Sequence, residues 1–155
     1  MTKLWWSLKT YSPEKWTELI NKLLENGKKI YLAGGPDDEE YINAISANFD
    51  KNNPNFINYY GMTKNIMDLA KLIASKEVLI CCDSAPMHIG VALNTKVVAI
   101  FGATDEKKLI PQKENFIPIT NEKCNCRPCL WDKRNTTCEK LECLDIPVSK
   151  IIDVL

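Results

Sequence analysis

The stretch VLICCDSAPMHIGVALNTKVVAIFG, residues 78–102, decides the fold of this chain. Two uncharged apolar runs, Val78–Cys82 and Val97–Phe101, have the length and composition of strands buried on both faces of a sheet. Between them lie a turn, Asp83–Pro86, and a short helical stretch from Met87 to about Leu93. A strand, a helix and a second strand in this order predict two parallel strands joined by a helical crossover.

The same alternation extends toward the N-terminus. Pro13–Glu25 has apolar residues at helical spacing, with Ser12 as a natural N-cap and Gly27 as a left-handed stop. The remaining elements predicted before residue 78 are a strand at Lys29–Ala33, a helix that follows the acidic run Asp37–Glu40, a strand at Asn55–Tyr60 and a helix at Asn65–Ser75. Together they indicate the α/β class, as a Rossmann-like parallel sheet flanked by helices.

The character of the chain changes after about Phe116. Residues 121–144, named here the cysteine segment, are charged, rich in cysteine and without periodicity, so we expect an irregular excursion. Pro147–Leu155 then predicts a short closing helix. Since 155 residues suit one domain, the sequence predicts a single Rossmann-like domain over residues 1–155.

Composition narrows the class of partner. Twenty basic residues balance twenty acidic ones, so neither a nucleic acid nor an anionic membrane is expected as the main partner. The apolar runs are too short to cross a bilayer, and MTKLWWSLK lacks the features of a signal peptide. We therefore expect a cytoplasmic protein without a transmembrane segment, and seven reduced or metal-bound cysteines in place of a disulfide scaffold.

Three polar loops follow predicted strands. Gly34–Asp38, Asp83–His88 and Gly102–Asp105 each come directly after one. Ligands of open α/β sheets bind at the carboxyl ends of the strands, so the three loops together predict a binding crevice. Each loop by itself is also what turns and helix caps require. His88 is the single histidine, and no spacing supports a Ser-His-Asp triad.

Five cysteines stand close together within the cysteine segment. Four thiolates at such spacing suit a tetrahedral zinc ion, which would brace a loop that the sheet cannot stabilise. Free thiols, or disulfides formed on handling, are the alternatives. The candidate ligands, of which zinc would take four, are Cys124, Cys126, Cys129, Cys138 and Cys143.

Five short motifs, in this order and at this spacing, resemble glycosyltransferase family 9, the lipopolysaccharide heptosyltransferases. They are K-T-Y-S-P-E-K-W (9–16), L-A-G-G-P-D-D-E-E (32–40), G-M-T-K-N-I (61–66), D-S-A-P-M-H (83–88) and F-G-A-T-D (101–105). The family usually has glycine where this chain has Ala85. The resemblance implies the donor-binding, C-terminal half of a GT-B fold, with a nucleotide-sugar such as ADP-heptose as donor and no catalytic cofactor.

The resemblance also assigns roles around the donor diphosphate. Lys9 would pair with the phosphates, while Ser84 and the amides from Ala85 to Met87 would hold their oxygens. Asp83 and His88 would orient the pyrophosphate or the sugar. A solvated surface lysine is the alternative for Lys9.

The nucleoside would lie elsewhere along the chain. Asp37, with Asp38 nearby, would bind the ribose, although the acidic run also suits a helix N-terminus. The loop formed by Met62, Thr63 and Lys64 would lie along the base.

The catalytic residues remain open, because the acidic base of the family belongs to the N-terminal domain that this chain does not contain. The leading hypothesis is therefore the donor-binding domain of an inverting transferase of lipopolysaccharide core synthesis, at the inner face of the cytoplasmic membrane, with an acceptor-binding domain as partner. A nucleotide-binding module without transferase activity and a metal-stabilised interaction protein are the alternatives.

Overall fold

The structure is a computed structural model that describes residues 10–50, 52–110, 112–130, 138 and 140–155. These residues form two compact units, Ser12–Leu69 and Ala70–Leu155, and residues 10 and 11 belong to the second. In the part of the chain that is described, no helix is long and apolar enough to span a bilayer.

The unit of residues 12–69 is a small α/β layer. It contains the helix α1 (Pro13–Glu25), the strand β1 (Ile30–Leu32), a 3₁₀ turn (Pro36–Asp38), the helix α2 (Glu39–Ser46) and the strand β2 (Phe56–Asn58). β1 and β2 pair in parallel, with Ile30 opposite Phe56. Both helices pack apolar residues on this pair, around a core of Ile20, Ile45 and Phe49.

The predicted caps of α1 are confirmed. The backbone N–H of Lys15 donates to the hydroxyl of Ser12 at 3.3 Å, and Pro13 takes the first helical position, where no backbone donor is needed. Gly27 follows the helix with φ +71°, the left-handed conformation that glycine adopts without strain.

The second unit contains a three-stranded parallel sheet in the order β3-β4-β5. Its elements are the end of α3 (Ile66–Ala74), β3 (Val78–Cys82), α4 (Ala85–Ala92), β4 (Lys96–Phe101), α5 (Glu106–Leu109), β5 (Phe116–Thr120), a 3₁₀ turn (Glu142–Leu144) and α6 (Val148–Ile152). The α/β class and the parallel pairing are therefore confirmed.

The central strand β4 carries the core of this unit. Its residues from Val97 to Phe101 are fully buried, as the uninterrupted apolar run predicts. α4 lies close against it, because Gly90 has no side chain: a β-carbon there would stand 2.6 Å from a methyl group of Val97. Gly90 thus sets the distance between helix and sheet.

Tyr11 joins distant parts of the same unit. Its hydroxyl donates to the carbonyl oxygen of Ile146 at 2.6 Å, and its backbone N–H donates to the sulfur of Cys82 at 3.4 Å. The side chain is fully buried. One residue therefore links the end of β3 to the chain just before α6.

Three elements of the second unit differ most from the sequence predictions. α4 begins at Ala85 and not at Met87, because Pro86 fits the first turn of a helix. β5 was missed, since Pro118 interrupts its apolar pattern; Pro118 is exposed and β5 lies at the edge of the sheet, where a missing N–H is tolerated. The closing helix spans Val148–Ile152 only.

Candidate functional site

The turn between β3 and α4 is fixed by the neighbouring strand. The backbone N–H of Asp83 donates to the carbonyl oxygen of Ile100 at 3.2 Å, which extends the β3-β4 ladder by one step. The Asp83 side chain is buried, with 6% exposed. The turn therefore starts from a fixed point at the carboxyl edge of the sheet, where α/β proteins bind ligands.

Ser84 and Ala85 begin the helix α4. The exposed Ser84 turns its hydroxyl back to donate to the carbonyl oxygen of Cys82 at 3.0 Å, and it makes no capping bond to the first helical turn. Ala85 is exposed and already helical, so its methyl group causes no strain where the family has glycine. The helix N-terminus, with its partial positive charge, thus lacks a side-chain cap from Ser84.

The amides expected to hold phosphate need a correction. Pro86 has no N–H, and the N–H of Met87 donates to the Ser84 carbonyl oxygen at 3.1 Å. The Met87 side chain is fully buried in the core. Of the three residues, Ala85 keeps an amide at the exposed start of the helix. His88 is exposed one helical turn after Ser84 and Ala85.

A second loop lies beside this turn, at the end of β4. Gly102, Ala103 and Thr104 are buried, and Asp105 accepts a hydrogen bond from the N–H of Lys107 at 3.0 Å and so caps α5. The hydroxyl of Thr104 is buried without a hydrogen-bond partner among the described residues. Since β3 and β4 are adjacent and parallel, the two predicted loops share one edge of the sheet, as expected.

The predicted nucleoside-binding residues lie in the unit of residues 12–69. Asp37 is exposed, whereas one oxygen of Asp38 accepts the N–H of Gly35 at 2.7 Å and the other is buried without a partner among the described residues. Asp38 thus holds its own loop, and Asp37 presents its carboxylate to solvent.

Tyr60 brings the acidic run and the next loop together. Its hydroxyl donates to the carbonyl oxygen of Pro36 at 3.3 Å. Desolvation, followed by the charges of Glu39, Asp38 and Asp37, raises the pKa of Tyr60. The two loops therefore adjoin at the carboxyl edge of the β1-β2 pair. No pattern in the sequence predicted a role for Tyr60.

The loop expected to lie along the base is open to solvent. Met62 is 57% exposed, Lys64 is also exposed, and Thr63 is half-buried. The N–H of Lys64 donates to a carboxylate oxygen of Asp68 at 3.1 Å, which ties the loop to the start of α3. Lys9 lies outside the described residues.

The five cysteines of the cysteine segment form one cluster of free thiols. The sulfur atoms of Cys124 and Cys126 are 3.2 Å apart. Cys129 packs with Ala103 and Leu130, and Cys138 lies against the same group. Cys143 is buried nearby, within the electrostatic reach of the other four. These contacts bring Cys124 next to Cys126 and place Cys129 and Cys138 in one apolar group.

Two of these thiols, Cys126 and Cys143, have a raised pKa. A hydrogen bond with Cys124, then desolvation and the neighbouring thiols, raise the pKa of Cys126 to about 11. Burial and the other four thiols raise the pKa of Cys143 to about 11. No three Cys, His, Asp or Glu side chains among the described residues are grouped as ligands of one metal ion. A zinc ion would require four thiols to rotate toward one point, and it stays a prediction.

Arg127 is the residue of this region that the sequence analysis missed. Its guanidinium donates to the carbonyl oxygens of Gly102 and Thr104 and to the carboxylate of Glu106, at 2.8–3.2 Å. Burial would raise the pKa of Glu106, but the hydrogen bond and charge of Arg127 outweigh it and lower that pKa. One signal was available: the chain has only two arginines among its twenty basic residues, and both lie between the cysteines.

Comparison with known proteins agrees with this architecture. The sequence profile of glycosyltransferase family 9 (heptosyltransferase) matches residues 2–140. Lipopolysaccharide heptosyltransferase 3 of Escherichia coli is 31% identical over 111 residues, which cover 70% of this chain and 32% of that protein. The chain thus spans about a third of the length of this relative.

Solved structures share the fold. The E. coli ADP-heptose LPS heptosyltransferase II superposes with a TM-score of 0.74 at 22% identity, covering 94% of this chain and 40% of that one. The E. coli heptosyltransferase WaaC, solved with ADP-2-deoxy-2-fluoro heptose, gives 0.64 at 19% identity, covering 95% and 38%. With nearly the whole chain matched by the family profile, this chain belongs to glycosyltransferase family 9, the heptosyltransferases.

Proposed function

We propose that this chain is the donor-binding part of an inverting heptosyltransferase that uses an ADP-heptose-like nucleotide-sugar in lipopolysaccharide core synthesis. The observation that carries the proposal is the turn from Asp83 to Ala85. It is fixed by β4, opens onto an exposed helix start and stands beside the loop Gly102–Asp105 at one edge of a parallel sheet.

The chemistry of this turn suits a diphosphate. The start of α4 offers the partial positive charge of a helix N-terminus, and the Ser84 hydroxyl can rotate from the Cys82 carbonyl oxygen to a phosphate oxygen. The exposed His88 lies one helical turn further along α4 and can donate to a phosphate or a sugar hydroxyl.

Two further observations support the choice of donor. WaaC, which has the same fold, was solved with an ADP-sugar. In the unit of residues 12–69, Asp37 presents an exposed carboxylate at the edge of the β1-β2 pair. A carboxylate that follows a strand in this way is the group that α/β nucleotide-binding proteins direct at ribose hydroxyls.

The test is a panel of ADP, UDP, GDP and CMP, with the corresponding sugars, in thermal unfolding. ADP compounds should give the largest shift. A ligand at a hundred times its Kd stabilises by about 2.7 kcal/mol, which corresponds to roughly 5–10 °C for a chain of this size. Equal or absent shifts for all four nucleotides would contradict the proposal.

A pair of serine variants tests whether the phosphates bind at the β3-α4 turn. Ser84→Ala should weaken ADP binding by about 1.5–3 kcal/mol, the contribution of a hydrogen bond to a charged group. Ser75→Ala is the matched control, because the Ser75 hydroxyl also donates to a nearby carbonyl oxygen, that of Leu72, at the end of α3. Lys9→Ala, predicted from the family resemblance, should weaken binding to a similar degree.

We propose further that the isolated chain binds donor without transferring sugar. Of the acidic residues in the predicted loops, Asp38 and Asp105 hold their own loops and Asp83 is buried. A general base must reach the acceptor hydroxyl directly. Product formation by the purified chain with ADP-heptose and a core acceptor would contradict this, and Asp37→Asn and His88→Gln would then identify the base.

A further inference from the structure

Three consecutive backbone carbonyls after β4 are all held by the cysteine segment. The carbonyl oxygen of Gly102 accepts from Nε of Arg127 at 3.2 Å, and that of Thr104 accepts from an Nη of the same guanidinium at 3.1 Å. The Ala103 carbonyl oxygen between them accepts the N–H groups of Cys129 and Leu130, at 2.9 and 3.1 Å. The loop is thus fastened to the cysteine segment at three of its four carbonyls.

Arg127 is buried enough for its contacts to be specific. Its side chain is 12% exposed, and Glu106, which pairs with it at 2.8 Å, is 19% exposed. The guanidinium bridges two carbonyls and one carboxylate, and this requires donors that are spread across a rigid plane. A lysine ammonium is a compact point charge, so it could keep the pair with Glu106 while losing the span between the two carbonyls.

The hydroxyl of Thr104 adds a cost to the observed loop conformation. It is buried and has no hydrogen-bond partner among the described residues. A buried hydroxyl without a partner is unfavourable. The bonds from the cysteine segment to the three carbonyls offset this cost and hold the loop in place.

The fastened loop stands next to the turn assigned to the donor. β3 and β4 run in parallel with Cys82 opposite Ile100, and the N–H of Asp83 donates to the Ile100 carbonyl oxygen. Gly102 follows Ile100 by two residues, directly after the end of β4. A shift of the loop Gly102–Asp105 would therefore change the wall beside the β3-α4 turn.

We propose that Arg127 is a positioning residue for donor binding, which acts by holding the carbonyls of Gly102 and Thr104 and does not touch the donor. The inference rests on the proposed function, since it assumes that the diphosphate binds at the β3-α4 turn. The cysteine segment would then shape the donor site by holding the loop Gly102–Asp105, whether or not its thiols bind a metal ion.

The experiment compares the full chain with Arg127→Ala, Arg127→Lys and Lys150→Gln. Lys150 is the matched control, because it also ties the chain to a strand end, through the carbonyl oxygen of Thr120 and the carboxylate of Glu122, but after β5. The measurements are the Kd of ADP by calorimetry, the urea midpoint, and hydrogen exchange of the amides at residues 102–105.

Both Arg127 variants should raise the Kd of ADP by about tenfold and speed amide exchange in residues 102–105, while Lys150→Gln changes neither. Arg127→Lys should retain most of the urea midpoint, because it keeps a charge beside Glu106. Ethylguanidinium in solution should restore ADP affinity to Arg127→Ala, and ethylammonium should not.

The results that would overturn the positioning role can be distinguished from one another. If the wild-type chain binds ADP and the Arg127 variants bind it equally well, the positioning role is overturned and the proposed function stands. If the wild-type chain binds no ADP, the proposed function fails and the positioning role fails with it. A third result would also overturn the positioning role: the Arg127 variants lose ADP affinity only as much as they lose stability in urea, and ethylguanidinium does not restore binding.

Discussion

The β3-α4 turn and the cysteine segment lie at strand ends of one sheet, yet different forces hold them. The turn continues a backbone ladder between two apolar strands and leads into a helix, so its position follows from local pattern. The cysteine segment has little regular structure among its described residues. It is held by polar contacts with residues outside it: Arg127 of the segment pairs with Glu106, and Lys150 binds Glu122 of the segment and the carbonyl oxygen of Thr120 just before it. The regular region should therefore lose stability when its packing is disturbed. The irregular region should lose order when single polar contacts or ligands are removed.

The largest effect on the cysteine segment is expected from metal removal. If four of the thiols hold zinc, protein purified under reducing conditions contains close to one equivalent. Because structural zinc sites contribute on the order of 10 kcal/mol, a strong chelator should then loosen residues 121–144 while the β3-β4 pairing persists. Elemental analysis and amide exchange measure both. Absence of zinc, with all five thiols freely titratable, would exclude the metal.

The regular region should be most sensitive at Gly90. Gly90→Val adds a β-carbon that would stand 2.6 Å from the Val97 methyl, and two further methyl groups beyond it, so it should lower the free energy of unfolding by about 3 kcal/mol or more. Ala92→Val, on an exposed position of the same helix, is the control. It should lower the free energy of unfolding by about 0.5 kcal/mol, because a β-branched side chain is slightly unfavourable in a helix. Equal urea midpoints for the two variants would show that α4 does not pack on β4 as described.

The two ion pairs of the irregular region should differ in strength. Arg127→Met leaves the carboxylate of Glu106 largely buried and unpaired, which should cost about 2–3 kcal/mol. Lys150→Met breaks a pair whose partner Glu122 is 79% exposed, so the loss of that pair should cost less than about 1 kcal/mol. Double-mutant cycles with Glu106→Gln and Glu122→Gln measure each coupling, and a larger value for the exposed pair would reverse this ranking.

The smallest effect concerns alkaline pH in metal-free protein. Burial raises the pKa of Cys143 from about 9 when unfolded to about 11, so folding favours the protonated thiol. The stabilisation is present below pH 9 and is lost as pH rises through 11, a change on the order of 1 kcal/mol after allowance for solvent screening. Cys143→Ala should reduce this dependence in urea titrations between pH 8 and 11, and the part that remains belongs to other thiols with raised pKa values, such as Cys126. A wild-type curve that is already flat would place the thiol in a more polar setting.

What the sequence could predict follows the same division. The run Val97–Phe101 and the cap Ser12 act through neighbouring residues, so periodicity and turn chemistry were sufficient to place them. The contacts of Arg127 join residues more than twenty positions apart, and no local pattern encodes such a partner. β5 was missed for a related reason: Pro118 is tolerated only because that strand lies at a sheet edge, which is a property of the assembled sheet.

The bond between Tyr11 and Ile146 has a consequence for how the chain is made. Because the two residues are 135 positions apart, this contact cannot form on the ribosome until Ile146 has emerged. Residues 12–69, which make their own core, can fold well before that point. Synthesis thus separates the two units in time, since the Tyr11 bond closes only after translation has passed Ile146.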